Sequence, residues 1–148
     1  MAAGASNCEM TLYQNADNRA DNRLYSNDMA STSVPVQVVT VDSILEEMGV
    51  AGASCKIDVQ GFEALVFAGM RRLLENSDNV ILISEFWSEG LRACDSDPVK
   101  MLEDLERLGF KLFLLGPRGR LRILEDKLIV EKYHGRRYTN VVGIKRKS

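Results

Sequence analysis

Asp58 and Glu85 are the residues of this chain best placed to do chemistry, because each stands at the carboxyl end of a run that reads as a buried strand, Ser54 to Val59 and Val80 to Ser84. In one parallel sheet, two acids at strand carboxyl ends line the same crevice, which is where doubly wound sheets take their ligands. Paired carboxylates there can receive a cation, organic or divalent metal. The alternative needs no ligand: Asp58 pairs with Lys56, and Glu85 caps or bonds a neighbouring loop. Lys56, Asp58 and Gln60 alternate with Cys55, Ile57 and Val59, so one side of the strand is polar and the other apolar. An ion taken into a sheet interior costs several kcal/mol unless paired or solvated. Asp58 is therefore expected near the wet end of its strand. Trp87, the single tryptophan, follows Glu85 and either walls an acceptor pocket or anchors its loop. Asp42 either caps a helix or reaches the crevice.

These residues need a scaffold, and the pattern supplies an α/β one. Residues 1 to 33 are polar and carry a tandem tetrapeptide, Ala16-Asp17-Asn18-Arg19 then Ala20-Asp21-Asn22-Arg23. They read as a loop or loose hairpin with a short strand over Glu9 to Gln14, because Asp and Asn bond readily to nearby backbone. Residues 34 to 148 read as the main domain. Val36 to Val41 is β-branched and predicts a strand. Asp42 and Ser43 are N-cap candidates, with Ser43 and Glu46 matching a capping box for a helix ending at Gly49. Phe62, Leu65, Val66, Met70, Leu73 and Leu74 have helical spacing and predict one helix from Phe62 to about Glu75. Glu63, in its first turn, is read as favouring the helix N-terminus through its charge. A loop is expected after Phe86. Asp97 and Pro98 then open a helix that Gly109 stops, Phe110 to Leu115 and Leu121 to Leu124 form a hairpin, and Tyr138 to Lys145 is a last, antiparallel strand.

The motif Lys56-Ile57-Asp58-Val59-Gln60-Gly61-Phe62-Glu63, followed by an apolar helix with Gly69 near its middle and a strand ending in Glu85, resembles the FkbM-type S-adenosylmethionine-dependent methyltransferases. The likeness runs from about Val34 to Ile144. It departs at Gln60, where the family usually has Glu. The resemblance implies O-methylation of a small-molecule hydroxyl acceptor with S-adenosylmethionine as cofactor, on a Rossmann-like class I methyltransferase sheet. Under it, Asp58 and Lys56 are the catalytic candidates, Asp58, Glu85 and Asp42 the cofactor-binding ones, and Trp87 and Gln60 the substrate-binding ones. Transfer to a hydroxyl is an in-line displacement, so alignment and removal of the acceptor proton are the help such residues can give. The Asn- and Arg-bearing segment before the sheet is expected, by the same resemblance, near the acceptor pocket.

One expected feature is missing. No two of the eleven glycines are separated by a single residue, so the chain has no G-x-G loop for a nucleotide-like cofactor. The resemblance implies that a glycine-bearing first strand and an acidic residue after the second lie upstream of Met1. This chain then supplies only the later strands and helices of an incomplete sheet, and an open sheet edge invites strand addition or self-association.

At 148 residues the chain is one domain's worth, and its 45% hydrophobic and 27% charged content is ordinary for a globular protein. No apolar run approaches the ~20 residues needed to span a bilayer, and the start lacks a signal-peptide pattern, so the expectation is cytoplasmic and without a membrane partner. Cys8, Cys55 and Cys94 are unclustered and indicate neither a disulfide framework nor a zinc site. Residues 1 to 110 carry 8 basic and 18 acidic side chains, residues 111 to 148 carry 11 and 3. That split fits mutual attraction of the two parts in the fold. The basic end lacks the interleaved aromatics of a nucleic-acid site, and the lone His134, among polar residues, reads as a surface side chain.

Overall fold

A computed structural model describes residues 1–18, 22–26, 32–49, 54–125 and 128–146. Arg19 to Asp21 of the tandem repeat and Lys147 of the basic tail lie outside the described residues. The protein is mixed α/β with two sheets. β1 (Ala2–Ala3), β2 (Cys8–Gln14) and β3 (Thr32–Val39) form one, in the order β1-β3-β2. β2 and β3 pair antiparallel across the expected boundary at residue 33. The other sheet has the order β4-β5-β8-β6-β7, from β4 (Ser54–Ile57), β5 (Val80–Phe86), β6 (Lys111–Leu115), β7 (Leu121–Ile123) and β8 (Thr139–Lys145). β4 and β5 are parallel and adjacent, as two strands joined through an intervening helix require. β8 lies between β5 and β6, antiparallel to both.

Several elements differ from the sequence expectation. β3 starts at Thr32 and stops at Val39, because Val41 already belongs to α1 (Val41–Met48). Thr40, rather than Asp42 or Ser43, caps α1, its hydroxyl accepting from the Ser43 N–H. The Ser43–Glu46 capping box does not form, since Glu46 pairs with Arg72. The single helix expected from Phe62 to Glu75 is two, α2 (Glu63–Ala68) and α3 (Arg71–Asn76). The break has a tertiary cause: the Gly69 carbonyl accepts from the Asp42 N–H at 3.0 Å, and the Asp42 carboxylate starts a new helix. The loop expected after Phe86 contains α4 (Ser88–Ala93). α5 (Pro98–Arg107) opens on Asp97 as expected, with the carboxylate accepting from Val99 and Lys100. A short α6 (Ile129–Lys132) precedes β8.

The core lies on one face of the larger sheet. Ile57, Leu82, Phe86, Val141 and Leu112 project there and meet Val66, Met70 and Leu74 of the α2–α3 region and Met101, Leu102 and Leu105 of α5. Each such aliphatic or aromatic side chain contributes roughly 1.5–3 kcal/mol when fully buried. Phe62 is part of this core. Among the described residues no helix is long and apolar enough to cross a membrane.

Candidate functional site

The β4–β5 register sets the site, because Ile57 stands opposite Ser84 and the next residue on each strand is Asp58 or Glu85. The chain leaves β4 through a turn in which Gln60 has φ 55 and Gly61 φ 100. Only glycine suits position 61: besides its positive φ, a Cβ would collide with the Gly90 backbone of α4. This turn throws the Gln60 side chain back over the strand ends. Its amide donates to Asp58 Oδ1 at 3.2 Å and to Glu85 Oε2 at 3.3 Å. The structure thus brings Asp58, Gln60 and Glu85 together.

Beneath the turn lies a residue that charge-based reading of the helix start missed. Glu63 is fully buried, and its Oε1 accepts from the Val59 and Gly61 N–H groups at 3.1 and 3.3 Å. It therefore ties the turn to α2. Its Oε2 is buried and has no hydrogen-bond partner among the described residues. Burial, with Asp58's charge, raises the Glu63 carboxyl above the usual carboxylate range. The usable signal was the strand-Gly-x-Glu spacing, which allows a side chain to bond back to the turn.

Glu85 is 8% exposed. Burial first, then the charges of Asp58 and Glu63, push its pKa from 4.5 up to about 7, with Lys56 and Arg23 opposing. Lys56 Nζ bonds Asp58 Oδ2 at 2.8 Å, and both side chains are largely solvent-facing, at 62% and 43% exposed. β4 is the end strand of this sheet among the described residues. The pairing alternative for Lys56 and Asp58 is therefore realised, and the Gln60 amide joins Asp58 to Glu85, but the hollow described below is lined by none of these residues.

The N-terminal segment reaches this site. The Tyr25 hydroxyl donates to the Gln60 carbonyl at 3.0 Å, and Arg23 donates to the Tyr25 hydroxyl at 3.0 Å. The Arg23 guanidinium also lies 4.9 Å from the centre of the Trp87 ring. Trp87 packs on Gly90 and its indole N–H donates to the Gly135 carbonyl, so it anchors its segment beside the site. Asp42 is elsewhere. Its two oxygens accept from the Arg72 and Leu73 N–H groups at 2.8 and 3.0 Å, which commits this carboxylate to the start of α3 rather than to the crevice. His134, Arg118, Arg120 and Arg122 are exposed. Among the described residues no group of three or more His, Cys, Asp or Glu is arranged to hold a metal.

Chemistry and concavity do not coincide here. A hollow of about 550 Å³ lies between α2–α3 and α5 over Phe67, Leu74 and Met101. Its rim charges pair with one another, Arg71 with Glu75 and both Lys100 and Arg107 with Asp104, leaving no convergent polar group aimed inward. The carboxylate cluster is the better candidate.

A family model described as the methyltransferase FkbM domain matches residues 3–112. The match begins in β1, earlier than the resemblance at Val34, and ends within β6. It therefore includes the segment bearing Arg23 and Tyr25. No curated protein matches the chain, and no solved structure does. The matched region spans well over half of the sequence and contains Asp58, Gln60, Glu63 and Glu85, so the chain belongs to the FkbM methyltransferase family.

Proposed function

We propose that this chain is the later part of a Rossmann-like domain that methylates a hydroxyl of a small-molecule acceptor, with S-adenosylmethionine as donor. The observation that carries the reading is the bridging of Asp58 and Glu85, on adjacent strand ends, by the Gln60 amide. A donor amide already occupies the gap, so the pair suits a group that brings hydrogen-bond donors or positive charge. The buried carboxyl of Glu63 holds the turn that carries this bridge, accepting from the Val59 and Gly61 N–H groups.

The residues fit a cationic ligand in this way, and S-adenosylmethionine, when bound, supplies an electrophilic methyl on a positive sulfonium. Glu85, deeper and less exposed, would face the cation. Asp58 is wetter and would orient the acceptor hydroxyl or take its proton when Lys56 releases it. Lys56 would then polarise the acceptor oxygen or stay paired. Gln60 and Trp87 border the acceptor side, with Arg23 stacked on the indole. The absence of a G-x-G loop and the position of β4 at the sheet's end support an incomplete sheet, inactive on its own.

Calorimetric titration with S-adenosylmethionine tests this. The chain alone is expected to bind in the millimolar range or not at all, with any binding lost in Glu85→Gln. Micromolar binding by the isolated chain would overturn the incomplete-sheet part. Weak binding indifferent to Glu85→Gln would overturn the site.

A further inference from the structure

The carboxyl rim of the larger sheet changes sign from one side to the other. β5 and β6 both run antiparallel to β8, with Glu85 opposite Asn140 and Leu114 opposite Val141, so the carboxyl ends of β5 and β6 flank the amino end of β8 on one rim. Asp58, Gln60 and Glu85 occupy the side at β4 and β5. Two arginine-bearing segments occupy the other. Gly116 to Arg120 follows β6, is closed by the Gly116 N–H donating to the Arg120 carbonyl at 2.8 Å, and presents Arg118 and Arg120. Tyr133 to Arg137 leads toward β8 and presents Arg136 and Arg137. It is pinned to the start of α4, where the Trp87 indole donates to the Gly135 carbonyl and the Ser88 N–H to the Tyr133 carbonyl. All four arginines are exposed, and among the described residues none forms an ion pair or a side-chain hydrogen bond. Glu89 stands beside Gly135 yet pairs with neither arginine that follows it. Charge that guards a sheet edge accounts for arginines along β7. It does not account for Arg136 and Arg137, because β8 is interior to the sheet.

We propose that Arg118, Arg120, Arg136 and Arg137 hold the anionic group of the acceptor, which makes the acceptor a phosphorylated hydroxyl compound such as a sugar phosphate. This names the acceptor's class and rests on the methyl-transfer reading above. A guanidinium matches phosphate oxygens with two parallel N–H groups and keeps its charge at every working pH. Two loops bring such groups to one place, so an anion can be held from two sides. The end of β6 lies two strand spacings from Glu85, roughly 10 Å. A sugar ring between hydroxyl and phosphate, with the arginine side chains reaching inward, bridges that span. The polarity of the rim then orients the ligand. Asp58 and Glu85 repel the phosphate and the arginines draw it, which leaves the hydroxyl end beside Asp58 and Lys56. A neutral acceptor would make no use of the arginines. A nucleic-acid strand is the weaker fit, because a polyanion that tracks the rim meets the two carboxylates, whereas a small phosphate ester need not.

The probe is glucose 1-phosphate, compared with glucose, inorganic phosphate and a single-stranded DNA of about ten nucleotides, and followed by amide and arginine Nε–H NMR with no methyl donor present. Glucose 1-phosphate is expected to shift the Nε–H signals of Arg118, Arg120, Arg136 and Arg137 and the amides of Val59 and Gly61. Its dissociation constant should be about a millimolar and rise with salt, since exposed charges are screened over ~8 Å at physiological ionic strength. Inorganic phosphate should shift the arginines alone, and glucose neither set. The pair Arg118→Gln and Arg120→Gln, and the pair Arg136→Gln and Arg137→Gln, should each weaken binding about tenfold with an unchanged circular dichroism melt. Lys111→Gln, on the opposite rim, should leave binding as it is. Four outcomes would each overturn the proposal: silent arginines at saturating glucose 1-phosphate, an equal loss in Lys111→Gln, inorganic phosphate moving Val59 and Gly61 as the sugar phosphate does, or tighter binding of the DNA. Failure here leaves the Glu85→Gln titration with the methyl donor untouched, so the two readings fall separately.

Discussion

Glu85 is the residue whose surroundings change its chemistry most. Its pKa rises from 4.5 to about 7 on folding, so ionising it opposes the folded state. The penalty is absent below pH 4.5 and complete above pH 7. Glu85→Gln should therefore raise stability at pH 8 and leave it nearly unchanged at pH 4, as read from urea midpoints at the two pH values. Equal shifts at both would show an ordinary carboxyl. Gln60→Glu sets a third charge between two carboxylates. It should push the Glu85 titration, followed by carbon NMR, higher still, and a downward move would show that Gln60 is not the bridge. The cysteines differ in the same way. Burial, with help from Glu63's charge, pushes Cys94 up to about 12, and burial raises Cys55, whereas Cys8 is exposed. Timed labelling at pH 8 with a thiol reagent should modify Cys8 first and Cys94 only after denaturation, and mass spectrometry of the peptides reads the order.

At the scale of elements, the turn after β4 and the break between α2 and α3 rest on single side chains. Asp42 caps a helix that its own sequence neighbourhood does not contain. Asp42→Ala should cost about 1–2 kcal/mol and Asp97→Ala about 1 kcal/mol, from the loss of two N-terminal hydrogen bonds each. Gly61→Ala should be worse, about 3 kcal/mol or more, because it combines a positive φ with a backbone collision at Gly90. Denaturation of the three variants ranks them. If Gly61→Ala is the mildest, the close approach of α4 to the turn is wrong. Local signals found α5 and its cap because Asp97, Pro98 and the apolar stripe lie within one stretch. α4 escaped notice since its six residues leave no stripe long enough to read.

Over the whole molecule, one sheet face carries the core and the other presents Ile81 and Ile123 exposed, and β4, the strand that leads to the carboxylates, is the end strand among the described residues. A chain with such exposed side chains should bind an apolar dye such as ANS while folded. The Ile81→Lys and Ile123→Lys chain should bind less, and equal fluorescence from both would place the dye in the groove between α2–α3 and α5 instead.

Much of the protein was determined by the sequence alone: the family through the motif from Lys56 to Glu63, the parallel pairing of β4 with β5, the hairpin of β6 and β7, and the meeting of Asp58 with Glu85. These follow from alternation, capping and crossover rules that act within a few tens of residues. The tertiary structure decided what depends on distant partners. It placed β8 between β5 and β6, drew Arg23 and Tyr25 onto Trp87 and Gln60, took Asp42 from the crevice to α3, and buried Glu63 beneath the turn. The physical reason is that a polar side chain's role is set by whichever backbone donor or charge packing brings within 3 Å, and pairings between residues far apart in the chain leave no periodic trace in it.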